Sequence, residues 1–249
     1  DEEPMMPSMS ALASELRDDF NQADRSVSDT LIDVSFNSTT QATGNLAFTL
    51  GLGLKNRAPS YQERYLWTPM ESTGGLADGN TYIGDINLKA ETAYQIDLGL
   101  NYQGEQWRVS PHLFFQRIDD YIQGTPLGMQ EMSAKMMAMM MAGNETPLKF
   151  SNVDAQLLGM DVSWLYRLTE DIELSGVVNY VEGERRDIND HLYRIAPLNM
   201  NLTLSILSSD WQLNTTLVAA AEQDKVSVTN REQQTAGYGI INLDLNYYA

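Results

Sequence analysis

The sequence predicts an all-β protein: an antiparallel up-and-down transmembrane β-barrel, present as a partial barrel of about nine strands. Three observations predict it. Nine stretches alternate apolar and polar residues. The gaps between them alternate short and long. Aromatic residues on the apolar phase gather near the short gaps. Successive side chains of a strand point to opposite faces, so each stretch reads as a strand with one apolar and one polar side.

The stretches are placed at 28–41, 45–56, 92–103, 106–119, 153–168, 171–184, 195–208, 211–222 and 237–249. In the second, Leu46, Phe48, Leu50, Leu52 and Leu54 oppose Ala47, Thr49, Gly51 and Gly53. In the third, Tyr94, Ile96, Leu98 and Leu100 oppose Gln95, Asp97, Gly99 and Asn101. The same pattern sets Trp107, Val109 and Leu113 against Arg108, Ser110 and His112. It recurs as Leu202, Leu204 and Ile206 against Asn201, Thr203 and Ser205, and as Ile241, Leu243 and Leu245 against Asn242 and Asp244. A soluble β-sandwich also alternates. Asp97, Asp161, Arg167 and Asp244 at mid-strand fit a water-filled lumen better than a sandwich surface. Each stretch is long enough to cross a bilayer at a tilt, which takes about 9–11 residues.

The short connections are Thr43-Gly44, Gly104-Glu105, Thr169-Glu170 and Ser208-Ser209-Asp210, all built from turn-forming residues. The long ones cover 57–91, 120–152, 185–194 and 223–236. Outer-membrane barrels have short periplasmic turns and longer extracellular loops, so the rhythm assigns a side to every connection and places 1–27 in an extracellular loop. Tyr102, Trp107, Tyr166, Trp211 and Tyr247 then form a periplasmic aromatic girdle.

Composition narrows the function classes. With 249 residues there is room for one large all-β domain. No apolar run reaches the length of a transmembrane helix, about 18 residues, and a barrel needs none. A net charge of −18 disfavours nucleic acid as a partner. Cysteine is absent, which removes disulfides and thiolate chemistry. No catalytic triad context surrounds the two His residues, and no G-x-x-x-x-G-K loop occurs, so an enzyme is not expected.

Several segments together resemble a known family. Asn56-Arg57-Ala58-Pro59 follows a strand; Leu88-Lys89-Ala90-Glu91-Thr92 precedes one. Ile118-Asp119-Asp120-Tyr121-Ile122 ends one, and Asn152-Val153-Asp154-Ala155 with Gly159 opens another. Their order resembles the C-terminal part of the barrel of TonB-dependent outer-membrane receptors, with Ala90 where that family often has Pro. The resemblance implies a barrel of about 22 strands with a plug. Residues 1–249 are then expected to be a barrel fragment, with the plug and the remaining strands outside it. It also implies active uptake of a scarce metal or metal complex, energised by TonB through a segment not in this chain. Outer-membrane lipid and lipopolysaccharide are the expected surroundings, and Arg185-Arg186 are open to lipopolysaccharide or to a partner loop, between which the sequence does not choose.

The chemistry points to the loops. Eleven of thirteen Met fall in the expected extracellular connections: Met5, Met6, Met9, Met70, Met129, Met132, Met136, Met137, Met139, Met140 and Met141. Residues 128–141 have helix-forming composition, and Met129, Met132, Met136, Met139 and Met140 would share one helical side. That stripe could pack the helix, since Met fills irregular gaps. It could equally present thioethers, soft ligands that favour Cu(I), and the copper branch of the family is the one favoured. His112, on a polar phase, and His191, in a long loop, are further candidate ligands because imidazole suits copper. No cofactor is required; copper is the expected transported ligand. Asp1, Glu2, Glu3, Asp18 and Asp19 read first as solvated loop charge and second as a means of attracting cations. Three alternatives stand beside this reading: an iron–siderophore receptor using Tyr61, Tyr65, Trp67 and Tyr82, a passive porin, and a soluble sandwich binding module.

Overall fold

Alternating sequence becomes strand almost wherever it was expected. A computed structural model describes residues 7–71, 78–143 and 146–248, so Met5, Met6, Asp1, Glu2 and Glu3 lie outside the described residues. The nine long strands are β1 (Val34–Thr43), β2 (Leu46–Arg57), β5 (Glu91–Gln103), β6 (Trp107–Pro126), β7 (Leu148–Arg167), β8 (Ile172–Arg185), β9 (Asn199–Leu207), β10 (Trp211–Ala220) and β11 (Tyr238–Tyr247). Two short strands, β3 (Met70–Glu71) and β4 (Thr81–Ile83), fall inside the first long connection. The sheet runs β1-β2-β5-β6-β7-β8-β9-β10-β11 and is not closed. Pairing is antiparallel between β1 and β2 and from β7 through β11. β4 pairs with β3 and lies parallel to β7 through Tyr82 and Leu148.

The tight turns close as their residues predict. The amide of Gly104 donates to Trp107 O at 2.7 Å, Leu168 N to Ile172 O at 2.9 Å, and Ser208 N to Trp211 O at 2.8 Å. Strand ends move where side chains compete for the backbone. β1 begins at Val34 rather than at 28, because Asp29 is held by Arg64 and Asn56 Nδ2 donates to Ile32 O at 2.6 Å. β9 begins at Asn199, two residues after Pro197, which has no N–H for a ladder. β6 and β7 run further than expected, to Pro126 and from Leu148.

Two units can be distinguished. One comprises 1–32, 56–92 and 119–154; the other comprises 33–55, 93–118 and 155–249. The first has a water-soluble protein's interior. Tyr82, Leu88, Ile122, Leu148 and Phe150 form a buried cluster, with Tyr82 and Phe150 stacked at 5.0 Å. Gly124 lets Tyr82 in: a Cβ there would lie 2.6 Å from the Tyr82 ring. Three helices belong to this unit: α1 (Met9–Gln22), α2 (Tyr61–Tyr65) and α3 (Met132–Ala142). α1 is capped by the Ser8 hydroxyl, buries Leu12, and is joined to α3 by Ser133 Oγ donating to Glu15 Oε1 at 2.8 Å.

The second unit is built the other way round. Its alternating apolar side chains are outside: Phe36, Leu98, Leu113 and Leu158 are exposed, and Leu243 is 72% exposed. Its polar phases bond to one another across the strands. Asn101 Nδ2 reaches Ser110, Asn179 Nδ2 reaches Asn199, and Thr203 meets Thr216. Four of the five residues expected in the girdle pair up: Trp107 and Tyr166 stack at 4.1 Å, and Trp211 sits opposite Tyr247 in the β10–β11 register.

Candidate functional site

α3 carries the expected Met run, but its packing face differs from the Met stripe. Ala134, Met137 and Ala138, at i, i+3 and i+4, are the buried positions. Met132, Met136, Met139 and Met140, at i, i+4, i+7 and i+8, lie on the opposite side; all but the half-buried Met136 are exposed. Met137 is therefore a packing residue. Met129 precedes the helix in a 3₁₀ turn, Met129–Glu131, and is 90% exposed. Met141 is exposed in the last turn. The helix stops at Gly143, whose φ of +63° suits glycine and whose amide caps Met139 O at 2.9 Å.

A charged lattice fixes the elements of this unit. Arg57, the last residue of β2, bridges two acids. Its Nε and Nη2 donate to Glu91 at 2.9 and 2.6 Å, and its Nη1 donates to Glu63 Oε2 at 2.9 Å. Glu91 also accepts the Ile122 amide at 2.8 Å, which ties β2, β5 and β6 together. Glu63 completes a capping box with Ser60 at the start of α2. Burial would raise the Glu63 carboxyl, but bonds from Arg57 and Ser60 outweigh it and hold the carboxyl below the usual range. Arg64 is buried and donates both terminal nitrogens to Asp29, at 2.8 and 3.1 Å, and a third bond to Leu88 O at 2.7 Å. That bidentate bond pulls the Asp29 pKa down. Lys149, raised by Asp85 and Glu131 against the opposing pull of burial, lies 2.9 Å from Asp85 and 3.3 Å from Glu131 at the foot of α3.

The loop aromatics divide. Tyr61 is 78% exposed. Tyr65 and Trp67 both contact the Phe20 ring of α1, at 6.5 Å between centroids. Tyr82 is 1% exposed, so it is a core residue and unavailable to a ligand. This corrects its expected place among siderophore contacts: its short strand pairs beside Leu148 and its ring packs in the cluster with Leu88, Ile122 and Phe150.

The two histidines lie in the second unit. His112 stands on the polar phase of β6 between two carboxylates, with Nδ1 3.1 Å from Asp161 and Nε2 3.5 Å from Asp97. His191 stands elsewhere, on the connection after β8. An isolated antiparallel bridge pairs it with Glu184. Ligand atoms of Glu182, Glu184 and His191 all lie within 4.8 Å of one another. That connection is held by Asp190, which accepts the amides of Val228 and Thr229 at 2.8 and 2.9 Å and the Ser227 hydroxyl at 3.3 Å. Arg185 is largely buried against Asp187, at 2.9 and 2.5 Å, and so is committed there rather than presented to lipopolysaccharide. Asp18 likewise pairs with Arg17 at 2.7 Å.

Sequence reading named His191 but missed Glu182 and Glu184. Their i, i+2 spacing on a strand followed by a returning His was the available signal. It also missed the roles of Arg57, Arg64 and Glu91, whose partners, apart from Glu63 beside Arg57, lie 24 to 35 positions away and carry no local pattern.

Comparison with known proteins is consistent with this geometry. A family profile described as "TonB dependent receptor-like, beta-barrel" matches residues 17–248. Among solved structures, the copper transporter OprC is similar with a TM-score of 0.71 and 21% identity, over 88% of this chain and 31% of that one. The ferric enterobactin receptor PfeA of Pseudomonas aeruginosa, solved as a mutant with enterobactin, gives 0.64 and 19%, over 87% and 33%. The siderophore receptor PirA of the same organism gives 0.61 and 18%, over 86% and 36%. The chain thus spans about a third of the length of these structures. No curated protein sequence matches it.

Proposed function

We propose a function from one premise: the chain belongs to the TonB-dependent receptor β-barrel family of the bacterial outer membrane. The receptor that contains it takes up a scarce metal or metal complex across that membrane, with copper favoured and TonB as the energy source. The chain supplies strands of the barrel wall and extracellular loops that meet the ligand. One observation carries the copper reading. The thioethers of Met132, Met139 and Met140 stand on the exposed side of α3, while Ala134, Met137 and Ala138 do the packing. Apolar side chains left in water on a rigid helix are costly unless they have a use, and thioether is a soft donor suited to Cu(I). The neighbouring Met129 and the half-buried Met136 extend the set.

The test is a Cu(I) titration of the intact receptor against a competing chelator, with wild type beside a variant carrying Met132, Met136, Met139 and Met140→Leu. Leucine keeps the bulk and removes the sulfur. The variant is expected to lose Cu(I) equivalents that wild type binds. Equal binding by both proteins would remove copper from the reading. A ferric siderophore is the second reading, favoured by Tyr61, an exposed aromatic within the first long connection. Tyr61→Ala would then weaken ferric-siderophore binding while leaving Cu(I) untouched.

A further inference from the structure

We propose that Glu182, Glu184 and His191 form a site for a borderline divalent cation of the Zn2+ class, on the outward face at the extracellular end of β8. The site goes beyond the reading of α3 above and shares no residue with its methionine set.

The backbone brings the donors together. Glu182 and Glu184 are two apart on one strand, so their side chains leave the same face. His191 is bridged directly opposite Glu184, and directly opposite residues share a face. That face is the outward one: in the β7–β8 register Glu182 is opposite Leu158, in phase with Val178 opposite Val162. Carboxylates replace aliphatic side chains on this face where the strand leaves the span and the long connection begins.

The donor chemistry fits one ion. Imidazole with two carboxylates is a borderline-hard set, suited to Zn2+ and Cu2+. Donors on one such ion at about 2.1 Å are at most about 4.2 Å apart, and these lie within 4.8 Å before any rotamer adjusts. His191 Nδ1 is sealed from solvent and has no hydrogen-bond partner among the described residues. A bound cation would supply that partner. The supporting shell is already in place: Gln156 donates to Glu184 Oε2 at 3.0 Å, and Asp190 accepts the His191 amide at 3.0 Å.

A positive charge already stands at the site. Lys225 Nζ is 2.6 Å from Glu182 Oε1 and 2.9 Å from the Tyr180 hydroxyl, which itself donates to Glu182 Oε2 at 2.7 Å. An incoming cation competes with this ammonium for Glu182. Removing the ammonium should therefore strengthen metal binding, an effect that misfolding cannot imitate.

The intact receptor in detergent, stripped of metal, is titrated with Zn2+ alone by calorimetry. Four proteins are compared: wild type, Glu184→Gln, His191→Gln and Lys225→Met. Wild type is expected to show an equivalent whose affinity falls more than about tenfold in Glu184→Gln and in His191→Gln. In Lys225→Met it is expected to rise severalfold. Unchanged affinity in His191→Gln overturns the site, and so does unchanged or weaker affinity in Lys225→Met. The four-Met variant retains this equivalent, so failure of the copper reading and failure of this site are read separately.

Discussion

The two units solve opposite solvation problems with the same chain. In the first, Tyr82, Leu148 and Phe150 are hidden and ion pairs such as Arg64–Asp29 surround them. In the second, Leu98, Ile241 and Leu243 face outward while Asp161, Asn179 and Thr203 bond across the polar side to His112, Asn199 and Thr216. Apolar side chains are buried from water in the first case and turned outward in the second, as the wall of a membrane barrel requires. The rule is unchanged; the solvent differs. Exposure of apolar surface therefore has two meanings here. On the strands it marks the bilayer, and on α3 in the first unit it marks a candidate ligand surface.

Substitutions that suit one unit and damage the other can break this comparison. The largest effect is expected from Arg64→Met. It leaves the Leu88 carbonyl and the solvent-facing Asp29 carboxylate without their donor and removes the link that ties α2 to both connections. Hydrogen exchange should rise sharply at Tyr61–Tyr65 and around Leu88, with β8 to β10 still protected. Next comes Leu98→Arg on the outward face, expected to cost about 2–4 kcal/mol near the bilayer midplane. Asn214→Arg, on the polar phase beside Asp244, should cost less than about 1 kcal/mol. Urea titrations of receptor folded into lipid vesicles measure both, and equal costs would contradict the two-faced wall. Gly143→Ala forces a Cβ into left-handed backbone, worth about 1 kcal/mol, and should be read as faster exchange at Met140–Ala142 alone.

The smallest effect is acid loosening of the first unit. Asp29 and Glu63 have carboxyl pKa values held below the usual range in the folded state. Their stabilisation is full above the unfolded value and is lost as pH falls through the depressed folded value. A spin label at the exposed Gln62 should keep one spectrum from pH 8 to about 5 and gain a mobile component below about pH 4. Mobility that grows on raising the pH instead would reverse the sign and rule out this account of the ion pairs.

The wall was legible in the sequence and the loops were not, for a physical reason. Strand periodicity is local, so Leu46–Leu54 and Ile241–Leu245 declare themselves without partners. The first unit is organised by contacts distant in sequence, such as Arg57 with Glu91 and Lys149 with Asp85. α1 shows no helical signature in the sequence although Ser8 caps it, because its only buried apolar residue is Leu12. β3 and β4 are too short to show a period, and β4 owes its place to Tyr82 and Leu148. The Met stripe was visible as a stripe. Whether it packed or faced water depended on Ala134 and Ala138, small residues that admit a close neighbour and that no periodicity singles out.

Copper accumulation by cells expressing the intact receptor tests the central claim most directly: wild type against Met132, Met136, Met139 and Met140→Leu, at equal surface levels and limiting copper. The exposed side of α3 predicts a loss of about tenfold or more in the variant, with ferric-siderophore uptake unaffected. Equal copper accumulation by the two would contradict it and leave those sulfurs without a role in capture.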